Sequence, residues 1–479
     1  MDGTTQRSNP GLDALAREVA RAHALLNYPG PAWTAPVQAP DGTRALDVAI
    51  VGAGMCGITL AHALKREGVH AIGLFDAAPA GAEGPWLTFA RMETLRSPKH
   101  LTSPDLGVPA LTFRAWYEAQ YGAEGWDGLY KIPTRTWHDY LQWLRRVLEL
   151  PVTNGVEATR IERAADLLRV VLSTGAPVHA RKVVLATGRG LPKWPSFLDR
   201  AALAPLAAHS GDPIDFGALK GKRVAILGAG ASAFDNAGTA LEAGATSVAM
   251  YVRRPHLPQI NKFKSMGYPG FQRGFARLPD EWRWRIMRYA FAEQVPPPHE
   301  SVLRCTKHGA FALHTASPWR KVEKRDGALA IDLGTRVDTA DFAVLCTGFG
   351  VDPAERPELA AFEADIARWG DVHTPPADEA DAELARFPYL DFAFRFVARQ
   401  GRETPRGLHC FNFASTLSHG LLSGDIPALA IGATRLAQGI VEDLFVESAG
   451  HHWAALRALD DRELEPTPFF VPRPKGESK

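Results

Sequence analysis

Two short glycine-rich runs carry the chemistry most legible in this chain. Gly52-Ala53-Gly54-Met55-Cys56-Gly57 follows an apolar run, Leu46 to Val51, and precedes a helical pattern. In such a G-x-G-x-x-G loop the first glycine permits the tight turn. The second lets the backbone approach a pyrophosphate, and the third lets helix and strand pack closely. The helix start then offers backbone N–H donors and a favourable dipole to phosphate. Asp76 closes the next strand 19 residues after Gly57, where a carboxylate accepts hydrogen bonds from a ribose diol. A free 2′-hydroxyl suits that carboxylate, so this loop suits FAD or NAD and disfavours NADP, and it is assigned to FAD.

Gly228-Ala229-Gly230-Ala231-Ser232-Ala233 repeats the pattern as G-x-G-x-x-A. Here the second strand ends in Arg253-Arg254 instead of an acid. Guanidinium forks bind phosphate bidentately, so the position is expected to read the 2′-phosphate of NADPH. His256, Lys262 and Lys264 extend the positive potential. Trp86, in Gly84-Pro85-Trp86 just beyond Asp76, is placed to cover a flavin edge or to join the core.

The elements that position these loops follow a repeated grammar of strand, glycine turn, helix, strand, which implies two doubly wound folds. Val183 to Gly188 and Phe342 to Gly348 each run a strand into Thr-Gly, adding Thr187, Gly188, Thr347 and Gly348 to the cofactor-binding candidates. The nested order predicts an α/β protein of two Rossmann-like dinucleotide-binding domains, the NADPH domain inserted in the FAD domain. The expected division is a helical extension over 1–44 and the first part of the FAD domain over 45–192. The NADPH domain follows over 193–344, with a helical insert near 268–300. The rest of the FAD domain with a C-terminal helix takes 345–465, and a tail takes 466–479.

Composition sets the frame. The chain has 479 residues, 54 basic against 53 acidic, for a net charge of +1, which gives no reason to expect a nucleic-acid or anionic-membrane partner. Four widely separated cysteines form no C-x-x-C pair, so neither a zinc site nor a redox dithiol is signalled. No signal-peptide layout or membrane-length apolar run is present, so a cytoplasmic protein is expected. A homo-oligomer is compatible with the sequence and not specified by it.

Taken with the nested order, several runs resemble the class B flavin-dependent monooxygenases: flavin-containing, Baeyer–Villiger and amine N-hydroxylating enzymes. Ala186-Thr187-Gly188 before Pro192 is similar to that family's first interdomain crossing, and His209-Ser210 ahead of Gly221-Lys222-Arg223 to its histidine before the NADPH loop. Asp341 through Leu345-Cys346-Thr347-Gly348-Phe349 resembles its D-x3-(L/F)-A-T-G-Y run. Leu417 to Ser423 (LSHGLLS) and Tyr130 to Trp143 resemble segments of the N-hydroxylating enzymes. Leu203 and Pro205 depart from the family's F-x-G-x-x-x-H fingerprint, and Pro213 stands where an aromatic is expected four residues after His209, which weakens a Baeyer–Villiger or mammalian-type assignment.

The resemblance implies NADPH reduction of FAD and O2 activation as a C4a-(hydro)peroxyflavin that oxygenates a small molecule. N-hydroxylation of an amine or amino acid stands first. Baeyer–Villiger oxidation, hydroxylation of a urate-like heterocycle, and NADPH oxidase or reductase activity without oxygen insertion are the alternatives. Because the cofactor carries the chemistry, no nucleophile or metal motif is required. His209 becomes the candidate linking the domains near the nicotinamide. Ser418 and His419 become candidates to face the flavin, and Arg91 and Lys99 candidates to meet an anionic substrate.

Overall fold

The first strand, Leu46–Val51, is buried along five of its six residues. Burial on both faces is what makes it a near-continuous apolar run. It pairs in parallel with Ile72–Asp76 on one side and with Val178–Leu185 on the other. In a computed structural model that describes residues 9–461, 463–464 and 468–469, these strands belong to a seven-stranded sheet. Its order runs 152–154, 72–76, 46–51, 178–185, 167–172, 158–164, and Leu408–Cys410 pairs beside Val178–Leu185. The strand order reverses next to Leu46–Val51, which puts the crevice of a doubly wound sheet at the carboxyl end of that strand, directly at Gly52.

The second sheet has five parallel strands in the order 311–314, 247–251, 223–227, 342–345, 207–209. A three-stranded antiparallel sheet, 321–325, 328–332 and 337–340, lies on one face of it through Trp319, Leu329 and Ile331. Neither that sheet nor the antiparallel hairpin 158–172 is among the elements expected from the sequence.

Several elements differ at their ends from the sequence expectation, for local reasons. The first cradle helix starts at Met55, because Gly54 is its N-cap. The strands expected to run into Thr-Gly stop at Leu185 and Leu345. Gly188 and Gly348, with φ of 68° and 85°, turn the chain out of each ladder. The leading amphipathic helix spans Pro10–Leu26 and buries Leu15 and Val19. The insert helix Asp280–Glu293 is a packing element: Trp284 and Met287 are fully buried with Trp369 and Leu417 from the C-terminal part of the chain. The expected tail over 466–479 lies outside the described residues, apart from Pro468 and Phe469.

The helix Leu429–Glu447 packs on Met55–Arg66 and closes the first core. Among the described residues, no helix is long and apolar enough to cross a membrane.

Candidate functional site

Each glycine loop is shaped by contacts that no side chain would permit. Gly52 has φ of 101°, and a Cβ there would stand 2.6 Å from the Ala186 carbonyl oxygen. A Cβ on Gly57 would lie 2.0 Å from the Gly52 oxygen, so the third glycine is required by helix-to-strand packing. Gly54 differs: a Cβ there would meet no clash, only van der Waals contact with the Gly84 backbone, its Cα at 3.6 Å. The helix behind it has no side-chain cap, so its first N–H groups remain free for an anion.

The second loop repeats the arrangement. Gly228 has φ of 123°, with the Cys346 oxygen 2.7 Å from a Cβ position. Nothing lies within 4 Å of the Cβ position of Gly230, and helix Ala231–Glu242 also starts without a side-chain cap. Ser232 is exposed on the first turn, and Ala233 is buried at the packing position. Each loop therefore has a first glycine that its surroundings require, Gly52 and Gly228, and a second, Gly54 and Gly230, where a Cβ would meet no clash, so the backbone there can approach a pyrophosphate.

The strand ends carry opposite charge. Asp76 Oδ2 accepts from Ala53 N at 2.7 Å and Oδ1 from Ala78 N at 2.8 Å, so the carboxylate braces the loop and keeps lone pairs for a diol. Arg253 is exposed, with no hydrogen-bond partner among the described residues. Arg254 donates to the Ala292 carbonyl at 3.2 Å. Beneath Asp76 sits a group that the sequence did not reveal. Glu83, 4% exposed, accepts from Arg145, from Asn154 at 2.6 Å and from Gln142 at 2.8 Å. Burial pushes its pKa upward, but hydrogen bonds from its own backbone, Gln142, Asn154 and Gly81 outweigh that and hold it below the usual glutamate value.

The two folds are stitched where the chain crosses between them. Thr187 Oγ1 accepts from Arg356 at 2.8 Å and from Asn412 at 3.2 Å. Lys193 N donates to the Gly348 oxygen at 3.0 Å, Thr347 Oγ1 donates to the Lys193 oxygen, and Pro192 bridges Phe349. The Thr-Gly pairs thus hold the seam together, with Thr187 and Gly188 beside the first cradle through Ala186 and Gly52.

The remaining candidates are built into the framework. Trp86 packs edge-on against Trp137 at 6.3 Å in the first core, two residues from the Gly84 that faces Gly54. His209 is fully buried. Its Nδ1 accepts from Gly211 N at 3.0 Å, its ring meets Phe349 edge-on, and burial lowers its pKa, so it is neutral at pH 7. Ser418 Oγ accepts from Trp369 Nε1 at 3.0 Å and Leu390 N at 3.2 Å. His419 stacks on Phe394 at 3.6 Å and is engaged at both ring nitrogens, by the Asp391 carbonyl and Arg435. Ser418 and His419 are therefore occupied within the protein. Arg91 donates to the carbonyls of Ser210 and Asp212, and Lys99 to that of Trp126, so both are also taken up by backbone.

The family described as FAD-NAD(P)-binding matches residues 49–190, and that described as L-lysine 6-monooxygenase/L-ornithine 5-monooxygenase matches residues 129–296. A curated relative, the FAD-dependent urate hydroxylase of Xanthomonas campestris pv. campestris, is 43% identical over 456 residues, covering 93% of this chain and 96% of that protein. Among solved structures, the ornithine N-hydroxylase of Kutzneria sp. 744 aligns with a TM-score of 0.66 at 18% identity, over 83% of this chain and 99% of that one. The L-lysine 6-monooxygenase of Pseudomonas syringae aligns with a TM-score of 0.65 at 20% identity, over 83% and 99%. At such identities these two likenesses concern the fold alone.

Proposed function

The chain belongs to the class B flavin-dependent monooxygenases, and from that premise we propose that it hydroxylates urate or a closely related oxopurine with NADPH and O2. One oxygen atom enters the heterocycle and the other leaves as water. NADPH and a proton supply the two electrons and two hydrogens that this requires.

The observation that carries the FAD- and NADPH-dependent part of the reading is the pair of cradles joined at one seam, one finished by Asp76 and the other by Arg253 and Arg254. FAD, when bound, supplies the redox and oxygen-activating chemistry. The chain's own residues bind and orient. Gly52, Gly54, Gly57 and the helix start at Met55 hold the FAD pyrophosphate, and Asp76 takes the ribose. Gly228, Gly230, Ser232 and Ala233 form the NADPH cradle, and the arginine pair takes the 2′-phosphate. Thr187, Gly188, Thr347 and Gly348 fix the seam between them. His209, Ser418, His419 and Trp86 act as positioning residues, because their polar atoms or rings are engaged inside the fold.

Among the reactions left open by the sequence, ring hydroxylation has the support of the relative that spans nearly the whole chain. N-hydroxylation, which stood first in the sequence reading, has the family match over residues 129–296 behind it. The two part in a single assay. Under 18O2, the FAD-loaded protein with NADPH should place one labelled atom in the product of urate. Labelled hydroxylamine from ornithine or lysine, with urate untouched, would reverse the order.

A further inference from the structure

The arginines along the seam are accounted for, with one exception. Arg91 caps two carbonyls, Arg96 donates to the Pro296 carbonyl, Arg304 pairs with Glu242, and Arg356 pairs with Glu358. Arg189 has no acceptor and no carboxylate among the described residues. Its one recorded partner is the ring of Phe413, with the guanidinium carbon 5.0 Å from the ring centroid.

Its setting is unusual for an unpaired cation. The side chain is open to solvent, yet protein surrounds it closely enough that burial alone pulls its pKa below the ordinary guanidinium value. The guanidinium is thus accessible to a ligand while the surrounding protein partly strips its hydration. The backbone on either side is fixed. Gly188, at φ of 68°, accepts from Phe413 N at 3.0 Å, and a Cβ on Gly190 would stand 1.7 Å from the Gly350 oxygen. Three residues earlier, Ala186 lies against Gly52 of the first cradle. The backbone carrying Arg189 is therefore fixed at the seam, and its guanidinium rests against an aromatic face with its donors free.

We propose that Arg189 is the substrate-specificity residue, its fork binding the delocalised anion of the deprotonated heterocycle where the two folds meet. The inference rests on the oxopurine reading. Urate is a monoanion at neutral pH, and its adjacent carbonyl and ring-nitrogen acceptors present the planar edge that a guanidinium fork matches. An amine side chain in its ammonium form would meet a like charge at the same place.

The test uses the FAD-loaded enzyme and oxonate, a non-oxidisable anionic analogue of urate, read as a flavin difference spectrum without NADPH. The wild-type protein should bind oxonate saturably. Arg189→Ala should weaken it on the order of tenfold to a hundredfold, the loss expected for a charge-assisted hydrogen-bonded pair. Arg189→Lys should restore part of the affinity, and added guanidinium ion should partly rescue Arg189→Ala. In turnover the KM for urate should rise while the KM for NADPH and the retention of FAD stay at wild-type values. Equal oxonate affinity in Arg189→Ala would overturn the assignment. So would unchanged oxonate binding with loss of FAD or NADPH affinity, which would give the guanidinium to a cofactor phosphate. Wild-type turnover of urate, measured alongside, keeps the two claims apart. A wild-type enzyme inert to urate sinks the substrate reading, whereas an active one with unperturbed Arg189→Ala sinks the role of Arg189 alone.

Discussion

Gly190 and Gly350 meet backbone to backbone: a Cβ on Gly190 would lie 1.7 Å from the Gly350 carbonyl oxygen. Gly350 N also donates to the Leu191 oxygen at 2.8 Å. The two chain crossings between the folds thus form one joint, and the distance between the two cradles is set there. In an enzyme that passes a hydride from one coenzyme to the other, that distance is a catalytic quantity.

Gly190→Ala should therefore force the crossings apart. Overpacking of this kind costs about 1–3 kcal/mol. The expected outcome is a lowered thermal midpoint with a larger proportional loss in the rate of flavin reduction by NADPH. Calorimetry and stopped-flow absorbance measure the two. Wild-type values for both would show that the joint is slack.

Gly230→Ala makes the opposite use of space. No atom lies within 4 Å of its Cβ position, and its φ of −78° suits any residue, so the fold should tolerate the methyl group. The group would stand in the open mouth of the second cradle. An unchanged thermal midpoint is expected, with the KM for NADPH raised roughly tenfold or more. Unimpaired use of NADPH would place the pyrophosphate elsewhere.

The arginine pair can be tested by preference. Arg253→Ala with Arg254→Ala removes the bidentate partners of a 2′-phosphate, worth on the order of ten- to a hundredfold in affinity. The KM for NADPH should rise by that factor while that for NADH barely moves. Arg253 should dominate, because Arg254 already serves the Ala292 carbonyl. An unchanged NADPH-to-NADH ratio would contradict the assignment.

Much of this architecture was readable in the chain, because each cradle depends on local rules. A glycine that must be glycine, a carboxylate or guanidinium at a strand end and a helix start all lie within a few dozen residues of one another. What escaped was non-local. Glu83 is tied to Arg145 and Asn154, and Arg189 stacks on Phe413, through contacts that only the folded chain makes. Ser418 and His419 show the converse. Their motif-like setting drew them toward the flavin, but Trp369, Leu390 and Phe394 occupy them. The sheet 321–340 was missed because its strands are short, partly exposed and bounded by charged turns.

Glu83 gives a pH prediction with a definite sign. Its folded pKa lies below the ordinary glutamate value of 4.5. Its contribution to stability is thus present above that value and is lost as pH falls through the folded pKa. Between about pH 5 and pH 3 the wild-type protein should lose stability more steeply than Glu83→Gln, although the variant is less stable at pH 7. Parallel denaturation curves across that window would show that Glu83 contributes nothing to the acid limb.

The most direct measurement is an anaerobic titration of the purified protein. The expected result is a yellow protein holding one FAD per chain, its visible band bleached by one equivalent of NADPH and far less readily by NADH. A colourless protein that takes up no FAD when it is offered, or a flavin that NADPH leaves oxidised, would contradict the two-cradle assignment.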